Sequence, residues 1–209
     1  MTVDGRSTTV SRRRSLRIGL GVSMGLALVG LGACSDNDSN AAGGTATTTA
    51  DAPEGTADLV GTVEGTDAYV ALVAGDGSAR AYVCDGVEGE AAGVAEWFTG
   101  DVDGDHVDLE SAGGARLVAT IGDAGADGTF TDADGTDHPF HAEAAQGDAG
   151  LYRGEADDVL GGFIVANDGT DRGGLGVQGV QRSRPAFDPS RPALPVNGAT
   201  VQFQRITPG

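Results

Sequence analysis

The sequence predicts an all-β fold, an antiparallel meander closing into a small barrel, with a β-sandwich as the alternative. Three observations carry this: from Leu59 onward short β-prone runs alternate with Gly- and Asp-rich breaks, no stretch sustains a 3.6-residue apolar period, and Asp-Gly pairs fall between the runs. A tight hairpin turn needs positive φ, which Asp-Gly supplies at low cost, so strands linked this way lie antiparallel and adjacent.

Residues 1–33 stand apart from that fold. Arg6, Arg12, Arg13, Arg14 and Arg17 precede an apolar run from Ile18 to Gly32, the layout of a secretory signal peptide. The run is shorter than the ~20 residues a membrane-crossing helix needs, and its glycines weaken it further. It ends in Leu31-Gly32-Ala33-Cys34, which resembles the lipobox of bacterial lipoproteins: an aliphatic residue, two small residues, then cysteine. The resemblance implies cleavage before Cys34, diacylglycerol on its thiol, and a lipid anchor on the extracytoplasmic face of the cell membrane. One acyl chain holds a protein only marginally, at about 0.8 kcal/mol per buried CH₂, so two or more make the anchoring durable. Ser11-Arg12-Arg13-Arg14-Ser15-Leu16-Arg17 also resembles the twin-arginine export motif, with Ser15 in place of the usual aromatic residue.

Residues 34–57 are rich in Ser, Thr, Ala, Gly, Asn and Asp and read as a disordered tether. A flexible segment of that length spans roughly 25–30 Å. Beyond it, residues 58–209 form the all-β domain.

Twelve strands are expected in order: Leu59 to Val63, Ala68 to Ala74, Arg80 to Cys84, Glu96 to Val102, His106 to Glu110, Arg116 to Ile121, Gly128 to Thr131, His138 to Ala142, Leu151 to Glu155, Phe163 to Ala166, Val177 to Gln181 and Thr200 to Ile206. Turns are expected at the Asp-Gly pairs beginning at Asp76, Asp85, Asp103, Asp127, Asp134 and Asp168. Glu88 to Ala95 is read as one or two helical turns. Residues 183–199 contain Pro185, Pro189, Pro192 and Pro195, which a central strand does not accept, so this segment is expected to wrap over the surface.

Composition narrows the function classes. Loss of the first 33 residues leaves 8 basic and 30 acidic residues, a net charge of −22, and no lysine. Nucleic acid and anionic lipid both attract Lys and Arg, so neither is a partner this charge favours. With Cys34 lipidated, Cys84 has no partner for a disulfide, and stability rests on packing.

Asp101, Asp103 and Asp105 have the alternation of an EF-hand loop, but His106 stands where glycine is needed and Ala112 where a chelating carboxylate is needed. From Asp132 the pattern reaches Glu143 but puts Asp137 at the glycine position. Turn formation is the preferred reading of these aspartates. His138 and His141 are three apart, which in a strand puts them on opposite faces and argues against a shared metal. No metal or other cofactor is assigned.

Cys84 shares one face of its strand with Tyr82 and Arg80; a buried packing role is preferred to a nucleophile. Tyr82, Cys84, Trp97 and Tyr152 are the candidates to line a ligand cavity, because small barrels carry aromatics at their mouths; packing is again the commoner role. No Gly-x-Ser-x-Gly elbow, phosphate loop or dinucleotide fingerprint is present.

Tyr82-Val83-Cys84-Asp85-Gly86, Trp97-Phe98-Thr99-Gly100 and Gly150-Leu151-Tyr152-Arg153 resemble landmarks of an uncharacterised domain of exported proteins from GC-rich bacteria. That resemblance implies no activity. The preferred reading is a non-enzymatic, membrane-anchored domain that binds a small molecule or an envelope protein. The alternatives are an envelope enzyme using Cys84 with His106 or His138, and a cation-binding surface domain.

Overall fold

The computed structural model describes residues 56–209. The lipobox residues Leu31, Gly32 and Ala33, the lipidation site Cys34, the export-motif arginines Arg12 and Arg13, and nearly all of the tether lie outside that range.

The described residues are all-β, as the sequence predicts, and the first eight strands close into a barrel. In chain order these are β1 (Ala57–Val63), β2 (Tyr69–Gly75), β3 (Ser78–Cys84), β4 (Ala95–Asp103), β5 (His106–Glu110), β6 (Arg116–Gly122), β7 (Gly125–Thr131) and β8 (Asp137–Ala144). Each pairs antiparallel with the next, and β1 closes on β8 with Gly61 opposite Ala142. The alternation in each strand turns one face inward: Leu59 and Val63, Val70 and Leu72, Ala81 and Val83, Leu117 and Ala119. Phe98, Phe130 and Phe140 join them, and the aliphatic set fills the barrel as a packed core.

The remaining strands depart from a single barrel. β9 (Gly150–Ala156), β10 (Val159–Val165), β11 (Asp171–Val177), β12 (Val180–Arg182), β13 (Ala193–Val196) and β14 (Ala199–Arg205) form a six-stranded sheet in the order β12-β11-β10-β9-β14-β13. This sheet curls as a half-barrel around its own core of Tyr152, Phe163, Leu175, Phe187, Leu194, Val196, Val201 and Phe203. Phe163 and Phe187 stack at 4.3 Å with planes 9° apart.

A third cluster joins the two layers. Val60, Ala71, Val73, Tyr82 and Cys84 on the outside of the barrel meet Ala149, Leu151 and Ile164 on the facing side of the sheet. Along β10, alternate residues therefore serve different cores: Phe163 and Val165 point into the half-barrel and Ile164 toward the barrel.

Five sequence expectations need correction. Glu88 to Ala95 is not helical; Asp85 Oδ1 accepts from the Gly93 and Val94 amides, and Glu88 bridges to Arg184, so the backbone is satisfied without a helix. Asp127-Gly128 lies inside β7, and Asp85-Gly86 opens a long connection instead of a hairpin. The expected strand Val177 to Gln181 is a turn: Gln178 and Gly179 have φ of 52° and 75° between β11 and β12. The proline-rich segment does more than wrap. Pro195 sits in β13, an edge strand that has no second neighbour to demand its missing N–H, and Phe187, Leu194 and Val196 are buried in the second core.

Candidate functional site

Three of the four residues expected to line a cavity come together, and the fourth does not. Tyr82 and Cys84 on β3 and Trp97 on β4 share the outer face of the barrel because Tyr82 is paired with Trp97 across the two strands. Their rings stack with centroids 4.3 Å apart. The sheet closes on them at Gly162, where a Cβ would lie 2.6 Å from Trp97 Cζ2 and 2.7 Å from Tyr82 Cε1. The absence of a side chain at Gly162 lets β10 lie flat against the aromatic pair, so packing fills this place. Tyr152 lies on the other face of the sheet, with its hydroxyl donating to the Asp148 carbonyl at 2.8 Å and its ring 5.2 Å from that of Phe187.

Cys84 has no exposed surface. Burial pushes its thiol pKa up, against a smaller downward pull from hydrogen bonding to Tyr82 and the Gly86 backbone. Asp85 and Arg184 are the charges that act on it, and no histidine is among them. A raised, enclosed thiol is the reverse of what nucleophilic catalysis requires.

The histidines disperse around the barrel. His106 is exposed on β5, His138 stacks on Phe130 at 6.1 Å and lies 3.4 Å from Asp132 Oδ2, and His141 faces outward, with Nδ1 2.7 Å from Asp127. Asp132 is occupied as a turn former, its Oδ1 accepting from the Asp134 and Thr136 amides. Asp101, Asp103 and Asp105 are exposed around the β4–β5 hairpin. Among the described residues no group of three or more His, Cys, Asp or Glu side chains is arranged to hold a metal ion.

A different set of residues forms a concavity. A cleft of about 430 Å³ is lined by Arg80 from the barrel, by Arg153, Glu155, Gln202, Gln204 and Arg205 from the sheet, and by Ile206 and Thr207 beyond β14. Its origin is geometrical. A convex barrel and a sheet curled around its own core touch along a limited seam, filled here by Leu151, Val60 and Val73; away from the seam the surfaces diverge. Arg153 and Glu155 follow Leu151 at two-residue spacing on β9, so the face that is apolar at the seam becomes charged where the cleft opens. Gln204 is paired with Arg153 across the sheet.

The three arginines are held differently. Arg205 donates to Asp58 Oδ2 at 2.9 Å and to the Gly147 carbonyl at 2.8 Å, tying β14 to β1. Arg153 lies 4.9 Å over the Trp97 ring and donates to Glu155 Oε2 at 2.9 Å. Arg80 is exposed and takes no part in the ion pairs of the described residues.

Sequence reasoning placed Arg80 on the face of Cys84 and Arg153 beside Tyr152, and it missed the cleft. The available signal was the polar face Gln202-x-Gln204 on a strand whose other face is Val201 and Phe203. What sequence did not supply is the pairing of β14 with β9, which joins segments about fifty residues apart. Comparison with protein-family models, curated proteins and solved structures finds no match.

Proposed function

We propose that this chain is a lipid-anchored, extracytoplasmic binding domain, non-enzymatic, held on the cell membrane through Cys34 and taking a small polar ligand in the cleft between barrel and sheet. The observation that carries the binding half of this reading is the cleft itself. Its volume of about 430 Å³ is in the range of small-molecule sites, and it gathers guanidinium and carboxamide groups at a junction of two layers. The filled barrel supports the same choice, because Phe98, Phe130 and Phe140 occupy the place where a hollow barrel would hold its ligand. The anchoring half rests on Leu31-Gly32-Ala33-Cys34 and the basic region before it.

One experiment addresses both halves. In cells, wild-type protein is expected to incorporate labelled palmitate and to sediment with membranes, and Cys34→Ser to do neither. A photo-reactive amino acid at Gln204 of the anchored protein is expected to capture a small envelope solute, whereas the same group at exposed Asp108, on β5 and outside the cleft lining, is not. Membrane association of Cys34→Ser equal to wild type contradicts the anchor. Identical labelling from positions 204 and 108 contradicts the site.

A further inference from the structure

We propose that the cleft recognises a small solute bearing a phosphate or carboxylate group, with Arg80 and Arg153 as the side chains that hold its oxygens. This rests on the reading of the cleft as the binding site and assigns the chemistry of what enters it. The argument begins with charge. Across the chain acidic residues outnumber basic ones 31 to 13, and only eight arginines follow residue 33. Three of those eight line one cleft, against two carboxylates: Glu155 in the lining and Asp58, which is paired with Arg205. An acidic surface explained by solubility does not produce a local excess of positive charge; a site for an anion does.

The arginines also differ in the donors they have to give. Arg205 is committed to Asp58 and Gly147, and the Asp58 carboxylate offsets its charge. Arg153 uses Nη2 on Glu155 and is oriented by the Trp97 face, which leaves its Nε and Nη1 hydrogens for an incoming group. Arg80 reaches in from the opposite layer, and among the described residues its guanidinium has no hydrogen-bond or ion-pair partner. Planar guanidinium forks match paired oxygens on carbon or phosphorus, and two forks on opposing walls favour a group placed between them. Gln204 adds a carboxamide suited to hydroxyl groups on the rest of the solute, while Gln202 donates its Nε2 hydrogens to the Pro192 and Phe203 carbonyls and offers its Oε1. Glu155 opposes the anion directly and by holding Arg153, so entry of the ligand exchanges the Glu155 carboxylate for the ligand's oxygens.

The test uses Trp97, the only tryptophan in the chain, as reporter, since the Arg153 guanidinium lies over its ring. The full chain is titrated at fixed ionic strength with glucose 6-phosphate, glucuronate and glucose, which separate phosphate, carboxylate and neutral sugar. A saturable change in emission is expected with at least one of the two anions and not with glucose. Arg80→Gln should weaken it about tenfold or more, the loss of charge-assisted hydrogen bonds. Glu155→Gln should tighten it, and Arg191→Gln, an exposed arginine outside the cleft, should leave it unchanged. Absence of a saturable response to both anions overturns the oxyanion assignment, as does equal weakening by Arg80→Gln and Arg191→Gln. A saturable response to glucose that Arg80→Gln leaves intact overturns the assignment while binding at the cleft stands. Absence of any response, joined to absence of cross-linking from Gln204, removes both. Thermal melts of each variant separate loss of binding from loss of fold.

Discussion

The guanidinium of Arg153 lies 4.9 Å over the indole of Trp97, joining the second sheet to the barrel at the edge of the cleft. Both groups are half-exposed, so the contact is worth about 1 kcal/mol. Arg153→Ala is expected to lower stability by that order in urea unfolding and to shift Trp97 emission to the red as the ring gains water. Arg153→Lys should restore part of the stability and little of the spectrum, because an ammonium does not lie flat on the ring.

At Gly162 the two layers meet without room for a side chain. A Cβ there would come within 2.7 Å of both Trp97 and Tyr82, so Gly162→Ala should cost about 1–3 kcal/mol through overpacking. Gly162→Val should cost more. The measurement is the urea midpoint, with near-ultraviolet circular dichroism following the Tyr82–Trp97 stack.

Arg184 is a buried cation whose Nη1 lies 2.6 Å from Asp171 Oδ2, an ion contact outside good hydrogen-bond angles. Its Nε, Nη1 and Nη2 donate to the carbonyls of Gly86, Pro185 and Asp171 in turn, so it joins three segments. Arg184→Ala strands Asp171 half-buried and should cost about 3–5 kcal/mol in urea unfolding. Paired replacement by Arg184→Met and Asp171→Leu should cost clearly less than the sum of the two single changes in a double-mutant cycle.

Stability should peak in mildly acidic solution. Burial raises the carboxyl pKa of Asp58 and Asp171 in spite of Arg205 and Arg184, so the folded state binds their protons more tightly than the unfolded state does. Between the ordinary aspartate pKa of about 3.9 and the raised values, stability therefore falls as pH rises. Asp108, Asp132, Asp168 and Asp188 have pKa values lowered mainly by hydrogen bonds, and what they contribute is present above about pH 3.9 and lost as pH falls through those values. Relief of the net negative charge acts in the same direction as the first pair. Melting temperature is expected to rise from pH 7.5 toward pH 5 and to fall below about pH 3.5; a monotonic fall from pH 7.5 downward contradicts the assignment.

Cys84 should resist alkylation at neutral pH in the folded protein and react fully after denaturation, given its burial and raised pKa. Rapid labelling of the native protein at neutral pH would instead mark an open, ionised thiol.

The strands of the barrel were legible because each carries alternation with a local turn signal: Asp76-Gly77, with both φ positive, fixes the β2–β3 hairpin in four residues. The second sheet was harder to read. β11 carries Gly173, Gly174 and Gly176, which erase its alternation, and Asn197-Gly198, a hairpin signal as strong as Asp76-Gly77, lay hidden among prolines. Strand spacing puts Tyr82 and Cys84 on one face of β3, but it says nothing of their pairing with Trp97 or of which surface covers them. The cleft depends on long-range pairing of β9 with β14 and on curvature, neither of which leaves a local mark.

The central claim, that the cleft between barrel and sheet is the binding site and takes an oxyanion, is tested most directly at the arginines themselves. Only eight arginines follow residue 33 and the chain has no lysine, so the arginine Nε–Hε resonances form a small, assignable set. Titration with glucose 6-phosphate and with glucuronate at fixed ionic strength is expected, for at least one of them, to move Arg80 and Arg153 together along one saturating curve. Exposed Arg116 and Arg191, paired with Asp108 and Asp188, should stay in place. Movement of Arg116 and Arg191 in step with Arg80, or no saturable movement of Arg80 and Arg153 with either anion, would contradict the account.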